Sequence, residues 1–177
     1  MAVLKVAVSD ADHTQGPANA EITLVEYGDY ECPHCGRAYP IVKRVQKHFG
    51  KRLRFVFRNF PLGEMHPHAE GAAETAEFCG SLGKFWEMHD LIFENQERLS
   101  GPLYLELAQQ IGVAPAALRA SLEKREFLAR VRADFTGGVR SGVNGTPTFF
   151  INGQRHDGAF DYHDLVAAIE DASSGRP

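Results

Sequence analysis

At 177 residues, 44% hydrophobic and 24% charged, the chain has the composition of one ordinary soluble globular protein, not of a disordered or fibrous one. A chain of this length buries about 70% of its unfolded surface, so it needs neither a metal nor a disulfide framework to hold a core, and its three cysteines are left for chemistry. The net charge of -4 argues against general affinity for nucleic acid or for anionic membranes.

In chain order, the apolar opening from Ala2 to Val8 carries Lys5 and stops at Ser9-Asp10, short of a signal-peptide core. No later run reaches the roughly 18 uninterrupted apolar residues of a membrane span. The expectation is a cytoplasmic chain as it stands, without membrane insertion; the alternative is an exported protein whose leader has been removed.

Residues 22–28 (Ile-Thr-Leu-Val-Glu-Tyr-Gly) are rich in β-branched and aromatic types and read as a buried strand ending just before Cys32-Pro33-His34-Cys35. Pro33 suits a helix's first turn, Ala38, Ile41, Val42, Val45 and Phe49 recur at helical spacing, and Gly50 is a stop. Pro40 inside that helix predicts a kink. A second strand over 53–60 completes strand, helix, strand, the parallel crossover unit.

From 68 to 142 the periodicity turns helical, punctuated at Gly101-Pro102 and between Gly112 and Pro115. Residues 148–152 return to strand composition, Asn152-Gly153 is a hairpin turn, and 161–172 closes as an amphipathic helix before a loose tail from Ser173 to Pro177. The order is β-α-β, a helical block, then β-β-α, without internal repeats.

Cysteines at i and i+3 at the start of a helix share a face, with α-carbons about 5 to 6 Å apart, a span a disulfide bridges without backbone movement. Cys32, nearer the terminus, meets unpaired backbone N–H groups and the positive dipole end, which favour thiolate and make it the attacking nucleophile. His34 can add a hydrogen-bonding or proton-bearing partner, stabilising the reduced form and making the disulfide a better oxidant. Cys35, one turn in, is expected to be shielded and to act as the resolving thiol. The same spacing could form half of a zinc site, but a second cysteine pair is missing and the strand-to-helix context is that of a redox dithiol. No metal or other cofactor is expected.

Glu26 to Cys35 (Glu-Tyr-Gly-Asp-Tyr-Glu-Cys-Pro-His-Cys) and Gly145 to Gly153 (Gly-Thr-Pro-Thr-Phe-Phe-Ile-Asn-Gly) resemble the DsbA family of thioredoxin-fold thiol–disulfide oxidoreductases. Gly83 to Asp90 (Gly-Lys-Phe-Trp-Glu-Met-His-Asp) resembles a motif of that family's inserted helices, and the likeness spans about residues 20 to 172 in the family's order. It implies an α/β thioredoxin fold, a central mixed sheet flanked by helices, made of 1–62 and 143–177 with an inserted all-helical subdomain over 63–142.

The resemblance also implies site roles. Thr146-Pro147 matches the family's cis-proline loop, which lies against the dithiol and offers backbone to an extended substrate chain, a form of strand addition. Glu26 matches a buried acid beneath the dithiol; a carboxyl desolvated there favours its protonated form and could relay the proton to or from Cys35. A partly exposed strand-edge glutamate is the plainer alternative. Expected partners are protein or peptide thiols and disulfides and an unidentified redox partner, and the expected state is a monomer.

Four further features have plainer readings beside functional ones. Cys79, on an alanine-rich helix face, reads as a small buried hydrophobe. His66 and His68 could bind a metal by spacing, but they flank Pro67 at a helix start and read as solvated or capping. The basic run from Lys43 to Arg54 reads as a solvated face. Phe85, Trp86 and Phe93 read as helical core, and an apolar groove of Tyr30, Phe149 and Phe150 beside Cys32 could hold unfolded chains. A binding or chaperone-like module without turnover is therefore kept as the second reading of function.

Overall fold

The computed structural model describes residues 2–175. Contacts divide the chain into two compact units: Met1–Gly28, Arg37–Arg58 and Thr136–Pro177 form one, and Asp29–Gly36 with Asn59–Phe135 the other.

The first unit is built on a five-stranded mixed sheet in the order β1-β3-β2-β4-β5. The strands are β1 (His13–Gln15), β2 (Ile22–Gly28), β3 (Leu53–Asn59), β4 (Thr148–Ile151) and β5 (Gln154–His156). Helix α1 (Pro33–Phe49) joins the neighbours β2 and β3, the connection that a parallel pair requires. The β2–β4 pair is antiparallel, with Glu26 opposite Phe149 and Tyr27 opposite Thr148. Both β2 and β3 are buried at six of their seven residues, which is why each reads as a nearly continuous apolar run without alternation. Helix α7 (Tyr162–Ser174) starts on Asp161, whose carboxylate accepts from the backbone N–H groups of His163 and Asp164. It extends through Ser174, so the expected loose tail is helical at its start; Arg176 and Pro177 lie outside the described residues.

Strand β1 is absent from the sequence reading. His-Thr-Gln is too short and too polar to carry a period, and it forms because β3 offers an edge, with Thr14 opposite Val56. Its approach is fastened by Arg58. That buried guanidinium donates to Asp12 Oδ1 at 2.8 Å and Oδ2 at 3.0 Å, to Tyr27 Oη at 2.9 Å, and to the carbonyls of Val6 at 2.9 Å and Ala7 at 3.2 Å. The basic residues of α1 and the turn after it behave partly as expected of a surface face: Arg52 pairs with Glu21 at 3.2 Å, while Arg44 lies over the ring of Tyr162 at 4.1 Å.

The second unit is helical. It contains α2 (Ala69–Ser81), α3 (Phe85–Glu94), α4 (Gly101–Gln110), α5 (Pro115–Lys124) and the first two turns of α6 (Leu128–Arg140). Ala69, Ala72, Ala73, Ala76 and Cys79 of α2 are buried, and their small side chains let α3, α4 and α5 all pack on that helix. Phe85 and Phe93 are buried here as core. Gly101-Pro102 punctuates as the first turn of α4, capped by Ser100 Oγ, which accepts from the Leu103 N–H. Phe60, expected at the end of β3, lies one residue beyond it and stacks on Phe135 at 4.2 Å. Among the described residues there are seven α-helices, and no helix is long and apolar enough to cross a membrane.

Candidate active site

The chain leaves β2 at Gly28 and reaches Cys32 four residues later. A Cβ on Gly28 would stand 2.4 Å from Cε2 of Phe57, so the strand can pass this ring only without a side chain. Helix α1 then begins at Pro33, and the Gly36 N–H returns to the Cys32 carbonyl at 3.0 Å, closing the first turn over the dithiol. Cys32 and Cys35 both sit in this turn, 4% and 0% exposed, whereas Pro33 and His34 between them face outward.

Asp29 organises the turn. Its backbone N–H points at Cys35 Sγ, 3.4 Å away, and its carboxylate Oδ1 accepts from the N–H groups of Glu31 at 2.8 Å and Cys32 at 3.2 Å. These are backbone donors at the entry to a helix, the groups a capping carboxylate satisfies. The other oxygen, Oδ2, accepts from the Leu62 N–H at 2.9 Å and meets His66 Nδ1 at 2.8 Å. Burial disfavours charge on His66, but its bond to Asp29 and the charges of Asp29, Cys32 and Glu31 outweigh that and hold its pKa above the ordinary 6.5.

Gln96 holds the opposite side of the same turn. Its Nε2 donates to the carbonyls of Tyr30 and Cys32, both at 2.9 Å. Tyr30 is buried, its hydroxyl 2.9 Å from Nδ1 of His89 and its ring 4.9 Å from that of Phe93. His66 and His68 are bound to side chains here. His68 puts its N–H on Glu31 Oε2 at 2.6 Å and its ring on Glu31 Oε1 at 2.9 Å. Cys79 is buried in α2, and desolvation pushes its thiol up to about 12, the behaviour of an inert core residue.

The helical unit therefore contains Cys32, Pro33, His34, Cys35 and Tyr30. Glu26, Thr146 and Pro147 belong to the sheet unit. Glu26 is buried, not an exposed edge residue, and its register opposite Phe149 puts it two places from Pro147 along the β2–β4 pair. The Thr146–Pro147 peptide is cis. Beside Pro147, a cavity of about 200 Å³ is lined by Asn144, Phe149, Arg155, His156 and Phe160. Asp29 and Gln96 carry no signature of their own in the sequence; the one signal available is an Asp shortly before a helix start, the pattern of a cap.

The thioredoxin family profile matches residues 8–171. The chain belongs to the thioredoxin family. Among solved structures, BdbD from Bacillus subtilis is 26% identical and superposes with a TM-score of 0.88 over 98% of this chain and 99% of that one. A thioredoxin-like oxidoreductase from Silicibacter pomeroyi is 25% identical with a TM-score of 0.82 over 95% of each chain. The thiol–disulfide exchange protein α-DsbA2 from Wolbachia pipientis, at 20% identity and a TM-score of 0.77 over 92% of this chain and 88% of that one, shares the fold. The expected DsbA-like thioredoxin fold is thus present, and its structural neighbours include a thioredoxin-like oxidoreductase and a thiol–disulfide exchange protein.

By sequence, the chain is also 43% identical over 166 residues to a protein of Salinispora arenicola named Na(+)/H(+) antiporter NhaA 1. That alignment covers 94% of this chain and 25% of the relative, so the chain spans about a quarter of the length of the curated relatives it matches.

Proposed function

We propose that this thioredoxin-family chain exchanges a Cys32–Cys35 disulfide with protein or peptide dithiols through a mixed disulfide at Cys32. The observation that carries the reading is the position of the two cysteines at the start of α1, Cys32 immediately before it and Cys35 in its first turn, with the Asp29 N–H directed at Cys35 Sγ. Cys32 has the helix N-terminus behind it and is the sulfur that a substrate attacks. A substrate thiolate forms a bond to Cys32 Sγ as the Cys32–Cys35 bond breaks, and the electron pair leaves on Cys35, where the Asp29 N–H stabilises it. The second substrate thiolate then attacks the substrate sulfur of the mixed disulfide and expels Cys32. Two electrons pass from substrate to protein, and run backwards the same steps reduce a substrate disulfide.

In this reading His34 is an exposed hydrogen-bonding partner for the Cys32 thiolate, Glu26 carries the proton to or from Cys35, and the Thr146-Pro147 backbone receives the substrate strand. The cavity beside Pro147 supports a bound peptide side chain there. The test is reduction of insulin and oxidation of a reduced model protein, wild type against Cys32→Ser. Acceleration lost in the variant supports exchange, and two proteins equally inactive in both assays refute it.

The antiporter relatives favour one second reading, a redox-regulated binding module without turnover, since in those proteins a segment similar to this chain belongs to a larger named activity. Binding of an unfolded client protein that persists in Cys32→Ala, together with negligible turnover, would decide for it.

A further inference from the structure

One buried carboxylate joins the dithiol to a second imidazole. Asp29, its side chain fully buried, spends Oδ1 on the amides of Glu31 and Cys32 and Oδ2 on the Leu62 amide and the His66 ring. The Cys32 amide and the His66 ring are thereby held on the two oxygens of a single side chain. Of the four donors on this carboxylate, three are backbone amides with no net charge; the imidazole is the one that can carry a proton to it. Its side chain is 15% exposed, shielded enough for its charge to act locally.

Resting on the exchange reading above, we propose that His66, held by Asp29, is a positioning residue that supplies a cationic charge to the Cys32 end of the dithiol, in addition to the N-terminus of α1. The facing groups fit this role. His66 is bonded to Asp29, the charges of Cys32 and Glu31 in the same 29–32 segment favour its protonated form, and on its own loop the neighbouring His68 occupies Glu31. The influence of Cys32 on His66 is reciprocal: a thiolate that favours the imidazolium is itself favoured by it. When Cys32 is in a disulfide it has no charge to stabilise, so the imidazolium acts on the reduced form alone and makes the disulfide the stronger oxidant. His34 lies in the dithiol motif and is exposed; His66 comes from a loop more than thirty residues away.

The test titrates the thiolate absorbance of the reduced full chain, with Cys32→Ser as blank, in wild type, His66→Gln and His66→Lys. Gln keeps a hydrogen-bonding group for Asp29 but no charge, and Lys keeps a cation without the imidazole. We expect His66→Gln to move the Cys32 titration up by about 0.5 to 1 pH unit, roughly three- to tenfold less thiolate below the midpoint, and to shift the equilibrium with glutathione by a similar factor toward the disulfide. His66→Lys should restore the wild-type titration. Superimposable wild-type and His66→Gln titrations overturn the assignment, and so does a His66→Lys protein that behaves like His66→Gln. Because the titration needs no substrate, absence of turnover would refute the exchange reading without altering this readout.

Discussion

The Cβ that Gly36 lacks would stand 2.2 Å from Oε1 of Gln96, so the first turn of α1 and the Gln96 side chain fit together only while position 36 has none. Gly36→Ala is therefore expected to push Gln96 off the Tyr30 and Cys32 carbonyls. Losing two hydrogen bonds at a part-buried site costs about 1 to 3 kcal/mol, partly offset by alanine's better helix propensity. Urea unfolding checks this, and Gln96→Ala should cost a similar amount. The double variant should cost much less than the sum, because both changes remove the same bonds.

Cys35→Ser should convert the exchange cycle into a trap. Without the resolving thiol, a mixed disulfide formed at Cys32 has no internal route of release. Mass spectrometry of the variant incubated with oxidised glutathione or a peptide disulfide should show one stoichiometric adduct on Cys32. No adduct should appear on Cys79, whose buried thiol is pushed up to about 12, until denaturant is added.

Arg58→Met tests the fastening of the N-terminal segment. The substitution removes the guanidinium that donates to the buried Asp12 carboxylate, and breaking a buried ion pair from one side costs about 3 to 5 kcal/mol. Arg58→Met with Asp12→Leu removes both charges and should recover most of that loss. Thermal and urea unfolding of the two variants make the comparison.

His66 makes stability depend on pH with a defined sign. Its folded-state pKa is raised above the ordinary 6.5, mainly by Asp29 against the opposing effect of burial. The stabilisation is therefore fully present below about pH 6.5 and is lost as pH rises through the folded value. The stability difference between wild type and His66→Gln should be largest near pH 5 and shrink toward pH 9, read from urea unfolding at fixed ionic strength.

The pattern that carried most weight in the sequence was local. Strand β2 and the start of α1 were legible from seven consecutive residues with β preference and from Pro33 ahead of a helical period, and the structure bounds them at Ile22–Gly28 and Pro33–Phe49. The helical block was legible by its change of period. Strand β1 was not, because its three residues become a strand only when β3 presents an edge to them. Phe60 reads as strand by composition, but its partner is the ring of Phe135, seventy-five residues on.

For the candidate site the division is similar. The sequence by itself determined the dithiol, since two cysteines three apart at a helix start need no distant residue to come together, and the family motifs around them are contiguous. Only the tertiary structure decided what surrounds that turn. Asp29 receives Leu62 and His66, and Gln96 reaches back to Tyr30 and Cys32. A hydrogen bond between residues separated by more than thirty positions leaves no period and no spacing in the chain, because it exists only after packing has brought its donor and acceptor within reach.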